Sequence, residues 1–127
     1  MAILSGIPVL NCRGIETTLD FYQKIFQFVV VKKRDLDGRL QWLHLMHGET
    51  TLMLQRMETA QPGIDHSAQS NISLYFFIDN IKELHHFVQL NYKNVSAIKL
   101  TDYRMQEFSL LDPEGNTVTA GMAVEPS

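Results

Sequence analysis

The chain has 127 residues, of which 45% are hydrophobic and 20% charged, a balance typical of one folded domain and not of a disordered segment. The formal net charge of −3 argues against nucleic-acid binding, because phosphate contacts require a basic face. No apolar run approaches the roughly 20 residues of a membrane span, and the N-terminal segment lacks the basic start of a secretory signal. Cys12 is the single cysteine, so no disulfide can form within the chain, and a cytoplasmic location is predicted.

The first half of the chain predicts four strands and one helix. Apolar residues recur at helical spacing from Ile15 to Phe26, which predicts an amphipathic helix over Ile15–Gln27. Asp37 and Gly38 form a typical hairpin turn. The four strands are predicted at Ile3–Cys12, Phe28–Lys33, Arg39–His47 and Thr50–Met57.

A polar segment, Thr59–Asn71, follows and is interpreted as a linker. The same order of elements then returns. Asn80 is placed to cap a second helix, with Glu83 three residues later to complete a pair like a capping box. The strands of this half are predicted at Ser73–Ile78 and Val95–Ile98 and in the two arms of a hairpin, Met105–Val118.

The two halves align at a constant offset of 66 positions. Identity between them is low, so the order of elements carries the comparison. A repeat of this length indicates two copies of one β-α-β-β-β unit. The pairs at this offset include Ile15 with Ile81, Phe21 with Phe87, Val29 with Val95, Trp42 with Phe108, Leu45 with Leu111 and Thr51 with Thr117.

The last hairpin turns at Asp112-Pro113-Glu114-Gly115-Asn116. Pro113 presets φ for the second position of a tight turn, and Gly115 can adopt the left-handed conformation that ends it. This DPxGN motif, together with the repeated β-α-β-β-β order, resembles the glyoxalase, bleomycin-resistance and extradiol dioxygenase group, the vicinal oxygen chelate superfamily. The resemblance implies an α+β fold in which two βαβββ modules form an incomplete barrel-like cup. One domain over residues 1–127 is expected, with module one at about 6–57, a linker at about 58–71 and module two at about 72–122.

The resemblance also identifies where metal-dependent members place their four ligands. The matching positions here are Ile7, Met53, Ser73 and Thr119, and none is a histidine or a carboxylate. A divalent ion bound by oxygen and nitrogen requires such donors. We therefore expect no metal and no other cofactor, and the chain most resembles the metal-free, bleomycin-resistance-like branch.

Strand alternation separates the side chains that face a helix from those on the concave side. By this rule the concave side carries Met53, Gln55, Tyr75, Phe77 and Glu107, while Tyr103 and Arg104 lie at its rim. The face on which Trp42 lies is left undecided. Its partner at the offset of 66, Phe108, favours the core, whereas a bulge in the strand would turn Trp42 toward the concave side. The predicted ligand-binding residues are Trp42, Met53, Gln55, Tyr75, Phe77, Tyr103, Arg104 and Glu107. The alternative is that these side chains pack against one another or against a partner chain.

The resemblance to this branch implies a homodimeric protein that binds a small, partly aromatic organic molecule and sequesters an antibiotic or another toxic compound. An enzyme of the glyoxalase type, either a lyase, an isomerase or a dioxygenase, is the alternative. The missing metal donors weigh against it, and the chain contains no G-x-S-x-G, P-loop or G-x-G-x-x-G motif. A regulatory subunit without a small ligand is a third class. Neither nucleic acid nor a membrane is expected as a partner.

Overall fold

The computed structural model describes residues 1–57 and 72–124 of the chain. These residues form an α+β fold that divides into two compact units, Met1–Gln69 and Ser70–Ser127. The elements of the first unit are β1 (Val9–Cys12), α1 (Ile15–Phe26), β2 (Val29–Leu36), β3 (Arg39–His47) and β4 (Thr50–Arg56). Those of the second are β5 (Ser73–Phe77), α2 (Ile81–Asn91), β6 (Lys99–Leu100), β7 (Met105–Leu111) and β8 (Thr117–Ala123).

Each unit contains one open sheet of four strands with the same topology. The strand order is β1-β4-β3-β2 in the first unit and β5-β8-β7-β6 in the second. The first strand of each unit pairs in parallel with the last, and the other pairs are antiparallel. The predicted βαβββ repeat is therefore confirmed, while a single domain over the whole chain stays a prediction. Neither helix of the described residues is long and apolar enough to cross a membrane.

One helix covers one face of each sheet. In the first unit the buried residues alternate along the strands, and Leu10, Leu45 and Leu54 lie completely inside. The apolar side of α1 packs on them, with Ile15 and Tyr22 fully buried. Burying each such side chain stabilises the fold by about 1.5–3 kcal/mol, so this apolar layer determines which side of every strand faces inward.

The start of α2 and the end of α1 follow from local chemistry. The side-chain oxygen of Asn80 accepts a hydrogen bond from the Glu83 backbone N–H at 3.2 Å, and its amide donates to the Glu83 carboxylate at 2.9 Å. The predicted cap of α2 is confirmed. Helix α1 ends at Phe26, one residue before the predicted end, because Gln27 adopts the left-handed conformation with φ 58°.

Three predicted strands are misplaced by more than one residue, and the last arm of the hairpin continues past Val118 to Ala123. The first strand begins at Val9 and not at Ile3, and Pro8 precedes it with no N–H to donate to a ladder. Strand β2 continues past Lys33 to Leu36, because Asp37 and Gly38 both have positive φ and form a tight turn that keeps the strands paired up to it.

The third error concerns Val95–Ile98, which makes a single bridge, between Val95 and Leu110, while the strand itself lies at Lys99–Leu100. Ser96 interrupts the ladder: its N–H donates to the Ser109 carbonyl, but its hydroxyl accepts from the Ser109 N–H in place of a backbone carbonyl. The predicted linker Thr59–Asn71 lies outside the described residues.

Asp112 organises the turn between β7 and β8. Its side chain is 4% exposed and accepts hydrogen bonds at 2.9 Å from the backbone N–H groups of Glu114 and Asn116 and from the Asn116 amide. The Gly115 N–H donates to the Asp112 carbonyl, and Gly115 has φ 86°, as the motif predicted. The turn is thus closed by one carboxylate that satisfies three donors.

We predict that Asp112→Ala lowers the free energy of unfolding by about 2–3 kcal/mol, because it leaves these donors without their acceptor. Urea denaturation provides the measurement. Asp20→Ala is the matched control, since Asp20 is exposed and pairs with Lys24 on the surface of α1, where such a pair contributes little. Equal losses in the two variants would show that the carboxylate does not hold the hairpin.

Candidate functional site

The face of the first sheet that α1 leaves uncovered carries Trp42, Met53 and Gln55. Trp42 lies directly opposite Gln55 in the β3–β4 ladder, and His44 lies opposite Met53. Residues directly opposite in an antiparallel pair share a face, so these four side chains are neighbours on one surface. The neighbouring Gln41 and Leu43 are buried on the helix side. Trp42, which the sequence left open, therefore belongs to the uncovered face.

The alignment of Trp42 with Phe108 was wrong by one residue. In the second unit Gly121, the counterpart of Gln55 at the offset of 66, pairs with Glu107 and not with Phe108. Trp42 thus corresponds to Glu107, and Leu45 corresponds to the buried Leu110. The β3–β4 and β7–β8 turns differ in length. The last pair before the first turn is His47 with Thr50, whereas before the second turn it is Leu111 with Thr117. A shift of one position moves every side chain of a strand to the other face.

A cleft of about 500 Å³ lies on the first unit beside Trp42, lined by Lys32, Lys33, Arg34, Trp42 and Gln55. Arg34 is directly opposite Trp42, and Lys32 is directly opposite His44. Lys32 and Lys33 were missed because the sequence indicated the strand but not its pairing, and Arg34 was missed because the predicted strand ended at Lys33. The Nε2 atom of His44 is buried and has no hydrogen-bond partner among the described residues.

The uncovered face of the second sheet carries Tyr75 and Phe77. Their ring centroids are 5.0 Å apart with 58° between the planes, so the two rings touch each other. A flat group inserted between two rings would require them about 7 Å apart, twice a contact of about 3.5 Å. In this arrangement the two rings leave no space for a flat group between them. Phe77 is 81% exposed, so the other side of its ring is accessible.

Glu107 joins two tyrosines on this face. The phenols of Tyr75 and Tyr103 both donate to the same Glu107 carboxylate oxygen, each at 2.7 Å. Burial and the Glu107 hydrogen bond raise the pKa of Tyr75 to about 12. For Tyr103 the Glu107 hydrogen bond is the main cause of a raised pKa. Both phenols therefore stay protonated well above neutral pH and act as donors.

Gly121 makes this arrangement possible. It lies opposite Glu107 in the ladder, and a Cβ built on it would come within 2.5 Å of the Tyr75 ring carbon Cζ. The absence of a side chain lets the Tyr75 ring lie across the strand. The sequence analysis did not identify Gly121, although a glycine inside a strand is a signal of a close approach.

Arg104 occupies a position that favours glycine. Its φ is 63°, its N–H donates to the Thr101 carbonyl, and the Thr101 N–H donates to the Met105 carbonyl. This is the pattern of a short hairpin loop that ends on a left-handed residue. Arg104 is exposed and forms no ion pair with Glu107, whose carboxylate is engaged by the tyrosines.

The residues at the four ligand positions of the metal-dependent relatives do not fit a metal. Ile7 and Met53 supply no hard donor, and the hydroxyl of Thr119 is hydrogen-bonded to that of Ser109 at 2.8 Å. Within residues 1–57 and 72–124, no three side chains from His, Cys, Asp and Glu are grouped so as to hold an ion.

We predict that Glu107→Gln lowers the pKa of both phenols, and that Tyr103 returns closer to its ordinary value, because burial still acts on Tyr75. Absorbance titration of tyrosinate measures this, with Tyr75→Phe and Tyr103→Phe to assign each step. The neutral phenol of Tyr75 is favoured by folding, so its contribution is complete below its ordinary pKa of 10.0 and is lost as pH rises through about 12. Unchanged titration in Glu107→Gln would contradict the assignment.

Comparison with known proteins identifies the family. The model of the Glyoxalase/Bleomycin resistance protein/Dioxygenase superfamily matches residues 6–119. No curated protein matches the chain.

Three solved structures share the fold at identities too low to indicate more. A lactoylglutathione lyase from Agrobacterium tumefaciens is 18% identical with a TM-score of 0.74, and the match covers 95% of both chains. TnmS3, an antibiotic binding protein from Streptomyces sp. CB03234, is 20% identical with a TM-score of 0.75 over 98% of this chain and 99% of that one. A bleomycin-binding protein complexed with bleomycin is 22% identical with a TM-score of 0.67 over 96% of this chain and all (100%) of that one. Because the family model covers most of the chain, the protein belongs to the Glyoxalase/Bleomycin resistance protein/Dioxygenase superfamily.

Proposed function

We propose that the protein binds a small, flat organic molecule on the uncovered sheet faces and sequesters it without transforming it. The observation that carries this proposal is the exposure of aromatic side chains beside polar groups on those faces, above all Phe77 next to Tyr75 and Glu107. An apolar wall with a few oriented polar groups is the usual composition of a small-molecule site. An antibiotic or another toxic compound is the ligand class we propose, in keeping with the bleomycin-binding protein and the antibiotic binding protein among the structural neighbours.

The enzyme alternative is supported by the lactoylglutathione lyase among the structural neighbours. Glyoxalase and ring-cleavage chemistry use a metal as Lewis acid or oxygen binder, and the side chains at the expected ligand positions do not provide its donors. We therefore infer a binding protein. In it, Met53 and Gln55 line the uncovered face of the first unit, and Arg104 adds a cation at the rim of the uncovered face of the second unit.

We predict that bleomycin or a flat aromatic antibiotic raises the melting temperature of the protein, and that Phe77→Ala weakens the binding by up to about tenfold. Loss of a stacked ring contact of about 0.5–1.5 kcal/mol accounts for this factor. A thermal-shift screen selects the ligand, and titration calorimetry measures its affinity.

Phe87→Ala is the matched control for this test, because Phe87 is a partly exposed phenylalanine on α2, outside the sheet. Arg104→Gly tests the rim: glycine suits φ 63°, so folding is retained, and anionic ligands should weaken while cationic ones do not. Equal binding by Phe77→Ala and Phe87→Ala would contradict the proposed site, and a screen without any ligand would contradict the proposed function.

We further propose that the protein is a homodimer, because each sheet leaves one face without a covering layer. Light scattering should give about twice the 14.6 kDa mass of the chain. A particle of chain mass at micromolar concentration would contradict the dimer.

A further inference from the structure

Two bulges set the chemistry of the first unit's cleft. The β2–β3 ladder begins beside the turn, where Leu36 pairs with Arg39, and ends where Val29 pairs with Met46. Its register shifts twice, once between Arg34 and Asp35 and once between Val30 and Lys32. Without these shifts the tight turn would pair Lys33 with Trp42. The bulges instead put Arg34 opposite Trp42 and Lys32 opposite His44. Two cations thus reach the uncovered face in place of one.

These two cations are available to a ligand. Among the described residues, neither Lys32 nor Arg34 takes part in an ion pair, and Lys33 makes a long contact with Asp35 at 4.0 Å. Within the same part of the chain, no carboxylate lines the cleft, whereas three cations do. An anion placed there would meet the positive charges of Lys32 and Arg34 next to an indole face.

We propose that this cleft selects planar aromatic carboxylates, an inference that rests on the proposed binding function and names its ligand class. The aromatic ring packs on Trp42, and the carboxylate is bound by Arg34 and Lys32. Arg34 provides a planar fork that matches both carboxylate oxygens, and Lys32 adds a second charge. Gln55, directly opposite Trp42, can donate to or accept from a polar substituent.

Three probes of the same shape test the charge preference: 2-naphthoate, 2-naphthylmethanol and 2-naphthylmethylammonium. Titration calorimetry measures each affinity in the full chain. Trp42 is the single tryptophan, so its one indole N–H signal in a nitrogen–proton NMR spectrum reports binding in this cleft. We expect 2-naphthoate to bind at least tenfold more tightly than the other two, to shift the Trp42 signal, and to weaken as salt concentration rises.

Lys32→Ala and Arg34→Ala should each weaken 2-naphthoate about tenfold, which corresponds to about 1.4 kcal/mol, and leave 2-naphthylmethanol unchanged. Lys24→Ala is the control with the same change of charge, since Lys24 is exposed on α1, on the opposite side of the sheet. Both cleft residues are exposed, and unchanged melting temperatures will confirm folding.

Three outcomes would overturn the inference while leaving the proposed function intact. The first is an ammonium probe that binds as tightly as the carboxylate with the Trp42 signal shifted. The second is equal naphthoate affinity in the wild type and both cleft variants. The third is a protein that binds bleomycin or another screened antibiotic but none of the three probes. The proposed function itself is judged by the antibiotic screen and the Phe77→Ala variant.

Discussion

The whole structure depends on one constraint: each four-stranded sheet has a single helix, so one face is buried and the other is not. Strand side chains alternate, and the apolar set that includes Leu10, Leu45 and Leu54 must face α1. Every residue between them is thereby assigned to the uncovered face. The candidate site is the consequence of this core, since Trp42, Met53 and Gln55 occupy the alternate positions of the same strands that bury it.

The two units share one architecture but present different side chains on their uncovered faces. The uncovered face of the first presents cations beside an indole, with Arg34 opposite Trp42. That of the second presents a carboxylate that holds two phenols, and Gly121 gives the Tyr75 ring its place. Neither face supplies a set of metal donors in the described residues. The charges and rings on these faces support the proposed recognition by charge and stacking.

The turns show how a local conformation is satisfied or strained. Asp112 converts the last hairpin turn into a closed hydrogen-bonded unit, and Gly115 accepts its positive φ at no steric cost. Arg104 is the contrasting case, because a long side chain occupies a left-handed position where glycine would be less strained. An outlier of this kind is a reason to look for a function, and the proposed role of Arg104 as a cation at the rim of a binding face is one.

Turn chemistry and local hydrogen bonds were enough to determine the DPxGN turn and the Asn80 cap. The alternation of apolar residues was enough to determine the βαβββ order and the sheet face of five predicted site residues, because side chains alternate along a strand with a period of two. These five residues are Met53, Gln55, Tyr75, Phe77 and Glu107. Pairing between strands decided the rest. The sheet face of Trp42 could not be assigned from an offset of 66. The β3–β4 and β7–β8 turns differ in length, and this difference shifts β7 by one position relative to β3. Lys32 and Arg34 reached the cleft through bulges at Val31 and Gln41. A bulge depends on contacts between strands that are distant in sequence, and so only the tertiary structure determines it.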